Sequence, residues 1–172
     1  MLHTIRNKTE EKFLHKKTVD FDFAKFSKQD INKLIKAMRE IMVKADGVGL
    51  AANQIGLNFK MFVALVPVIN EQGKKEGQKF YAIFNPKITK EDANKVLKEE
   101  GCLSVPDMLG TVPRGERVTL EAYDKNGSKI KIKAWGILAH VFQHEVDHLN
   151  GILFIDKAKE VYRAKQEVMN SK

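Results

Sequence analysis

His144-Glu145-Val146-Asp147-His148, near the end of the chain, limits the fold more than any other stretch. On a helix, residues four apart lie about 6 Å apart along the axis and on one face. Two imidazoles so placed can hold one ion. The carboxylate of Glu145 can then reach a water on that ion without ligating the metal itself. The bland alternative is a surface helix that happens to carry two histidines and acids. The surrounding pattern predicts a helix over Gly136–Leu149, ended by Asn150-Gly151.

Two histidines leave such a site incomplete, because a catalytic centre needs a third protein ligand and an open position. His140, one turn before His144, would put the outer imidazoles about 12 Å apart along the axis, too far for one ion. It reads better as a wall residue. Glu160 lies in a basic stretch with no supporting pattern. Cys102 remains, in Glu100-Gly101-Cys102-Leu103-Ser104, after a strand-like run and before a Pro-containing loop. A lone cysteine is usually a small buried hydrophobe. Beside two histidines lacking a soft partner, a thiolate ligand is the better reading, with Gly101 letting the backbone approach closely.

The rest of the chain frames that helix. Ser27 and Asp30 form a cap signal before Ile31, Leu34, Ile35, Met38, Met42 and Ala45, so a long helix runs to about Asp46 and stops at Gly47. Met61–Ile69 and Phe80–Ile88 read as strands joined by an exposed loop over Asn70–Lys79. Val118, Leu120 and Ala122, then Ile130, Ile132 and Ala134, alternate with polar residues around Asn126-Gly127, a hairpin signal. Lys157–Met169 can form a helix with Ala158, Val161, Tyr162, Lys165 and Val168 on one side, so 156–172 reads as a basic C-terminal helix. Residues 1–26 give no clear pattern. The expected fold is α+β: antiparallel sheets around a central metal-binding helix, with a long N-terminal and a C-terminal helix.

With 172 residues, 43% of them hydrophobic, one domain spanning 1–172 is expected. A single cysteine excludes an intramolecular disulfide, and no apolar run has the length of a membrane span. Residues 1–8 are followed by charge rather than a secretory core, so a cytoplasmic location is expected, with no membrane partner. The net charge of +8 permits attraction to nucleic acid, ribosomes or anionic lipid without choosing among them. The cations are spread along the sequence with no basic stripe interleaved by aromatics, so a solvated basic surface is the plainer reading.

Three motifs then resemble, in order and spacing, those of peptide deformylases: Gly47-Val48-Gly49-Leu50-Ala51-Ala52-Asn53-Gln54, Glu100-Gly101-Cys102-Leu103-Ser104, and Gln143-His144-Glu145-Val146-Asp147-His148. The resemblance runs from about Gln29 to Ile155. It implies a metal-dependent hydrolase that removes the formyl group from the initiator methionine of nascent chains. Cys102, His144 and His148 would hold the ion, with Glu145 as acid/base. The Gln54 amide and the Leu103 backbone N–H would serve as donors to the tetrahedral oxygen. The family's ion is ferrous iron, commonly replaced by Zn²⁺, Ni²⁺ or Co²⁺, and sulfur-imidazole ligation suits all four.

By the same resemblance, Gly49 pairs with an extended peptide, and Val48, Ile137, His140 and Val141 build the pocket for its first side chain. His140 stands where the family usually has an apolar residue. Glu100 and Arg114 would form a charge pair bracing the Cys102 loop. The partners expected are N-formylmethionyl nascent peptides and, through the basic tail, the ribosome, with no sequence-specific nucleic acid. Two rivals stand beside this reading. A zinc endopeptidase would take its third ligand from a downstream Glu or His. A binding module with a structural ion would need a fourth protein ligand.

Overall fold

The computed structural model describes residues 1–69, 72 and 74–164. Its helices are α1 (Lys8–Leu14), α2 (Lys28–Lys44), α3 (Gly136–Leu149) and α4 (Phe154–Lys157). Its strands are β1 (Gly49–Ala51), β2 (Met61–Ile69), β3 (Lys75–Glu91), β4 (Lys95–Cys102), β5 (Val105–Gly115), β6 (Arg117–Tyr123), β7 (Lys129–Trp135) and β8 (Glu160–Arg163). They form a five-stranded sheet in the order β1-β2-β3-β6-β7 and a three-stranded sheet in the order β4-β5-β8, with antiparallel pairing in both.

Helix α3 is hydrophobic enough to be enclosed, and the two sheets enclose it. Ala139, Phe142, Val146 and Leu149 pack with Phe62, Ala64, Ile83 and Leu120 of the five-stranded sheet. Phe142 meets the edge of Tyr81 with ring centroids 5.4 Å apart. On the other face of that sheet, Ile31, Met38 and Met42 of α2 join Met61, Val63 and Phe84. A smaller cluster of Leu14, Val105, Val112, Leu153 and Phe154 ties α1 and α4 to the three-stranded sheet. Each large apolar side chain so buried contributes about 1.5–3 kcal/mol. The helix carrying the His-Glu-x-x-His pattern is therefore fixed on several sides.

The long helix starts where the capping signal puts it: the Ser27 Oγ accepts from the Asp30 N–H and the Asp30 carboxylate accepts from the Ser27 N–H. Its end differs slightly. The left-handed residue is Asp46 (φ 54), while Gly47 makes room for the Leu103 side chain, which would lie 2.8 Å from a Cβ there. The Asn126-Gly127 turn joins β6 to β7, with Gly127 at φ 77.

Three expectations need correction. Strand β3 begins at Lys75 and pairs back to Ile69, so the connection from β2 is shorter than an Asn70–Lys79 loop. The Pro-containing segment after Cys102 is strand β5, not a loop. The C-terminal helix over Lys157–Met169 does not form in its described part: α4 ends at Lys157 and Glu160–Arg163 is strand β8, while residues 165–172 lie outside the described residues. The reason is the otherwise open edge of β5, which Val161 and Tyr162 cover in register with Gly110 and Leu109. Gly110 permits this, since a Cβ there would sit 2.8 Å from the Glu160 carbonyl oxygen. Among the described residues no helix is long and apolar enough to cross a membrane.

The end of α3 depends on Gly151, which takes φ 75 and sits so close to α1 that a Cβ would lie 2.5 Å from the His15 carbonyl oxygen. Gly151→Ala is expected to cost about 1–3 kcal/mol of stability. Urea unfolding should show this as a lower midpoint with an unchanged slope.

Candidate active site

Cys102 closes β4, and His144 and His148 face it from one side of α3. The Cys102 Sγ lies 3.1 Å from the His148 Nε2, which lies 3.2 Å from the His144 Nε2. These three donor atoms all fall within 4.8 Å of one another. The orientation of His144 is set from behind, where its Nδ1 meets the Glu100 Oε2 at 2.8 Å. A carboxylate only accepts, so Nδ1 carries the proton and the Nε2 lone pair is left to point into the cluster. Asn53 fixes the other histidine's backbone by donating to the His148 carbonyl at 2.6 Å.

Burial alone would raise the Cys102 thiol, but the charge of His148 and bonds from His144 and His148 hold it well below its ordinary value. Burial would lower His144, yet its bonds to Cys102 and Glu100 carry it well above. The lowered Cys102 favours the thiolate, the form that ligates metal, and a bound ion would take the place of the proton that the raised His144 keeps on its Nε2. One sulfur and two imidazole nitrogens, aimed at a common point with no carboxylate among them, fit a borderline ion such as Fe²⁺, Co²⁺, Ni²⁺ or Zn²⁺ and not Ca²⁺ or Mg²⁺.

Glu145 is buried beside this cluster, and its Oε2 has no hydrogen-bond partner among the described residues. Burial pushes its carboxyl up to about 7 against the opposing charges of His144 and His148. It lies so close to β1 that a Cβ on Gly49 would be 2.2 Å from its Oε1, so any larger residue there would push the Glu145 carboxylate aside. Gln54 is held by its Oε1, which accepts the Ala51 N–H at 2.8 Å. Its Nε2 donates to the Ser104 Oγ at 3.1 Å and lies 3.6 Å from the Cys102 sulfur. Residues at the start of the chain join the loops carrying these groups. The His3 N–H donates to the Gln54 carbonyl at 2.7 Å and the Ile5 N–H to that of Ser104 at 3.0 Å.

A groove of about 470 Å³ opens over the cluster. Val48, Gly49, Gln54, Leu103, Ile137, His140, Val141 and Glu145 all line it. His140 stands outside the three-donor cluster, with its Nε2 2.9 Å from the Glu100 Oε1. The Glu100–Arg114 pair is present and wholly buried, with guanidinium-to-carboxylate contacts of 2.6 and 3.0 Å. Burial would raise the Glu100 carboxyl, but bonds from His140, His144 and Arg114 hold it far below the usual carboxylate range.

The sequence reading missed Asp147, which accepts from Arg114 at 2.5 Å and from Lys157 at 2.9 Å. It also missed Asn53, Ser104 and the backbone contacts of His3 and Ile5. Asp147, Asn53 and Ser104 each had a signal, their place inside the three motifs, whereas His3 and Ile5 act through pairings across long stretches of chain. Arg114→Met leaves Glu100 and Asp147 as buried charges without their shared cation. A loss of about 3–5 kcal/mol in unfolding free energy is expected, measured by urea titration.

The polypeptide deformylase family model matches residues 4–164. A peptide deformylase of Thermodesulfovibrio yellowstonii is 41% identical over 140 residues, 79% of this chain and 81% of that protein. One from Halothermothrix orenii is 45% identical over 128 residues, covering 74% and 77%. Among solved structures, a probable peptide deformylase from Synechococcus phage S-SSM7 superposes with TM-score 0.77 at 38% identity, covering 91% of this chain and 98% of that one. The Met-Ala-Ser-bound class I type b peptide deformylase of Acinetobacter baumannii gives TM-score 0.80 at 28% identity, covering 91% and 96%. With its thiolate-imidazole cluster at the floor of a groove, the chain belongs to the polypeptide deformylase family, metal-dependent amidohydrolases that remove the N-formyl group from nascent peptides.

Proposed function

We propose that Cys102, His144 and His148 hold one divalent ion, ferrous iron in the native enzyme, and that Glu145 moves the proton during hydrolysis of the formyl amide. The convergence of the three donor atoms carries this reading. When bound, the ion supplies Lewis-acid polarisation of the formyl carbonyl and lowers the pKa of water.

The chain's own residues do the rest. Strand β1 is an edge of its sheet and β4 an edge of the other, so an extended peptide entering the groove between them finds free backbone donors and acceptors. Gly49 lets that peptide and Glu145 share the same narrow space. The first side chain lies against Val48, Ile137, His140 and Val141. Glu145 takes a proton from water as its oxygen bonds to the formyl carbon. It gives that proton to the amine nitrogen as the C–N bond breaks, releasing formate. The Gln54 amide and the Leu103 N–H donate to the tetrahedral oxygen as charge develops there. Gln54 suits this work because its amide is anchored at the Oε1 end by Ala51.

Glu145→Gln is expected to keep the ion while losing about 10²–10⁴ in turnover of formyl-Met-Ala-Ser, measured as formate release with metal content determined alongside. A variant that stays active would remove Glu145 from its role. Protein loaded anaerobically with ferrous iron should release formate faster than protein loaded with zinc, nickel or cobalt. Equal or faster turnover with zinc would overturn iron as the native ion.

A further inference from the structure

The cations that are scattered in the sequence are gathered by the fold. On β7, Lys129, Lys131, Lys133 and Trp135 alternate outward while Ile130, Ile132 and Ala134 turn to the core. Pairing sets Lys133 beside Thr119, Lys131 beside Glu121 and Trp135 beside Arg117. On the far side of β6, Lys87 lies beside Glu121 and Lys90 beside Thr119. Six cations from three strands therefore share one face with a single acid, Glu121. That acid is spoken for by Lys131 at 2.8 Å, and its carboxyl is held low by Lys131, Lys87 and Lys129 together.

The acids at the margins are engaged elsewhere or lie at one end. Asp124 accepts the N–H groups of Asn126 and Ser128, Glu91 is bound by Lys95 and the Gly115 N–H, and Asp92 and Glu116 stand near Trp135. Helix α2 covers this face of the sheet over β2 and β3, with Tyr123 at the margin of the covered region. Beyond it the face is open, and Trp135 is 71% exposed.

We propose that this face docks on RNA by its phosphate backbone, without reading sequence. Alternate lysines on one strand stand about 6.6 Å apart and the row runs for about 20 Å, a fixed lattice matched to a run of phosphates. Trp135 at its end offers a stacking plane for a base. An anionic membrane fits less well, because Trp135 is the one large apolar group among these outward residues and insertion needs more. The row ends where α3 begins, two residues before Ile137, which lines the substrate groove. The proposal rests on the deformylase reading for its purpose, which is to hold the enzyme where formylated chains are made.

Trp135 is the only tryptophan, so its fluorescence reports the face directly. Titration of the whole protein with a single-stranded RNA of about 20 nucleotides should quench it, at a series of salt concentrations. Lys129→Gln/Lys131→Gln/Lys133→Gln should weaken binding about tenfold or more and reduce the slope of log affinity against log salt by about 2. Lys28→Gln/Lys33→Gln/Lys44→Gln on α2 removes the same charge elsewhere and should leave affinity within about twofold. Both variants should release formate from formyl-Met-Ala-Ser like the parent, which separates this test from the deformylase reading. Equal losses in both variants, no quenching of the parent, or quenching by phosphatidylglycerol vesicles but not by RNA would overturn the proposal.

Discussion

One buried carboxylate organises the site. Glu100 receives two hydrogen bonds from Arg114, one from His144 and one from His140, with almost no exposure to water. An isolated carboxylate there would be prohibitively costly, and it is ionised because His140, His144 and Arg114 all donate to it. Its charge then fixes the tautomer and direction of His144. Asp147 takes the other side of Arg114, and Lys157 reaches Asp147 from half-exposed surface. Alternating charges thus run from His144 to solvent, and the geometry of the three-donor cluster is inherited from that row.

The remaining machinery is placed by edges rather than by depth. Strands β1 and β4 end their respective sheets, and both edges meet the groove above α3. Glycine at position 49 closes the distance between β1 and Glu145. Gln54 sits in the short turn after β1, and the chain's first residues hold that turn to the Ser104 loop. In the proposed mechanism, preorganisation of this kind orders the Gln54 donor before substrate arrives. The basic face of β3, β6 and β7 is built from residues that do not line the groove.

Legibility in the sequence followed the range of the interactions. The i, i+4 histidines, the Ser27–Asp30 cap and the Asn126-Gly127 turn are local, and each appeared in the structure as its residues implied. The Asn7 cap of α1 was equally local: its side chain accepts the Thr9 and Glu10 N–H groups, yet scattered lysines and phenylalanines obscured it. Lys157–Met169 was misread because helical spacing of apolar residues says nothing about an open strand edge nearby. Val161 and Tyr162 suit either state, and the edge of β5 decided. Glu100 could be paired with Arg114 only as a guess from sequence, and its bond to His140 had no local sign. The clustering of Lys87, Arg117 and Lys131 was illegible for the same reason, since strand pairing creates it.

X-ray absorption at the metal edge of the loaded protein tests the central claim most directly. The account predicts one sulfur and two imidazole nitrogens from the chain, with sulfur lost in Cys102→Ser and one nitrogen lost in His144→Ala. A first coordination sphere without sulfur, or one filled by four protein ligands with no exchangeable position, would contradict it.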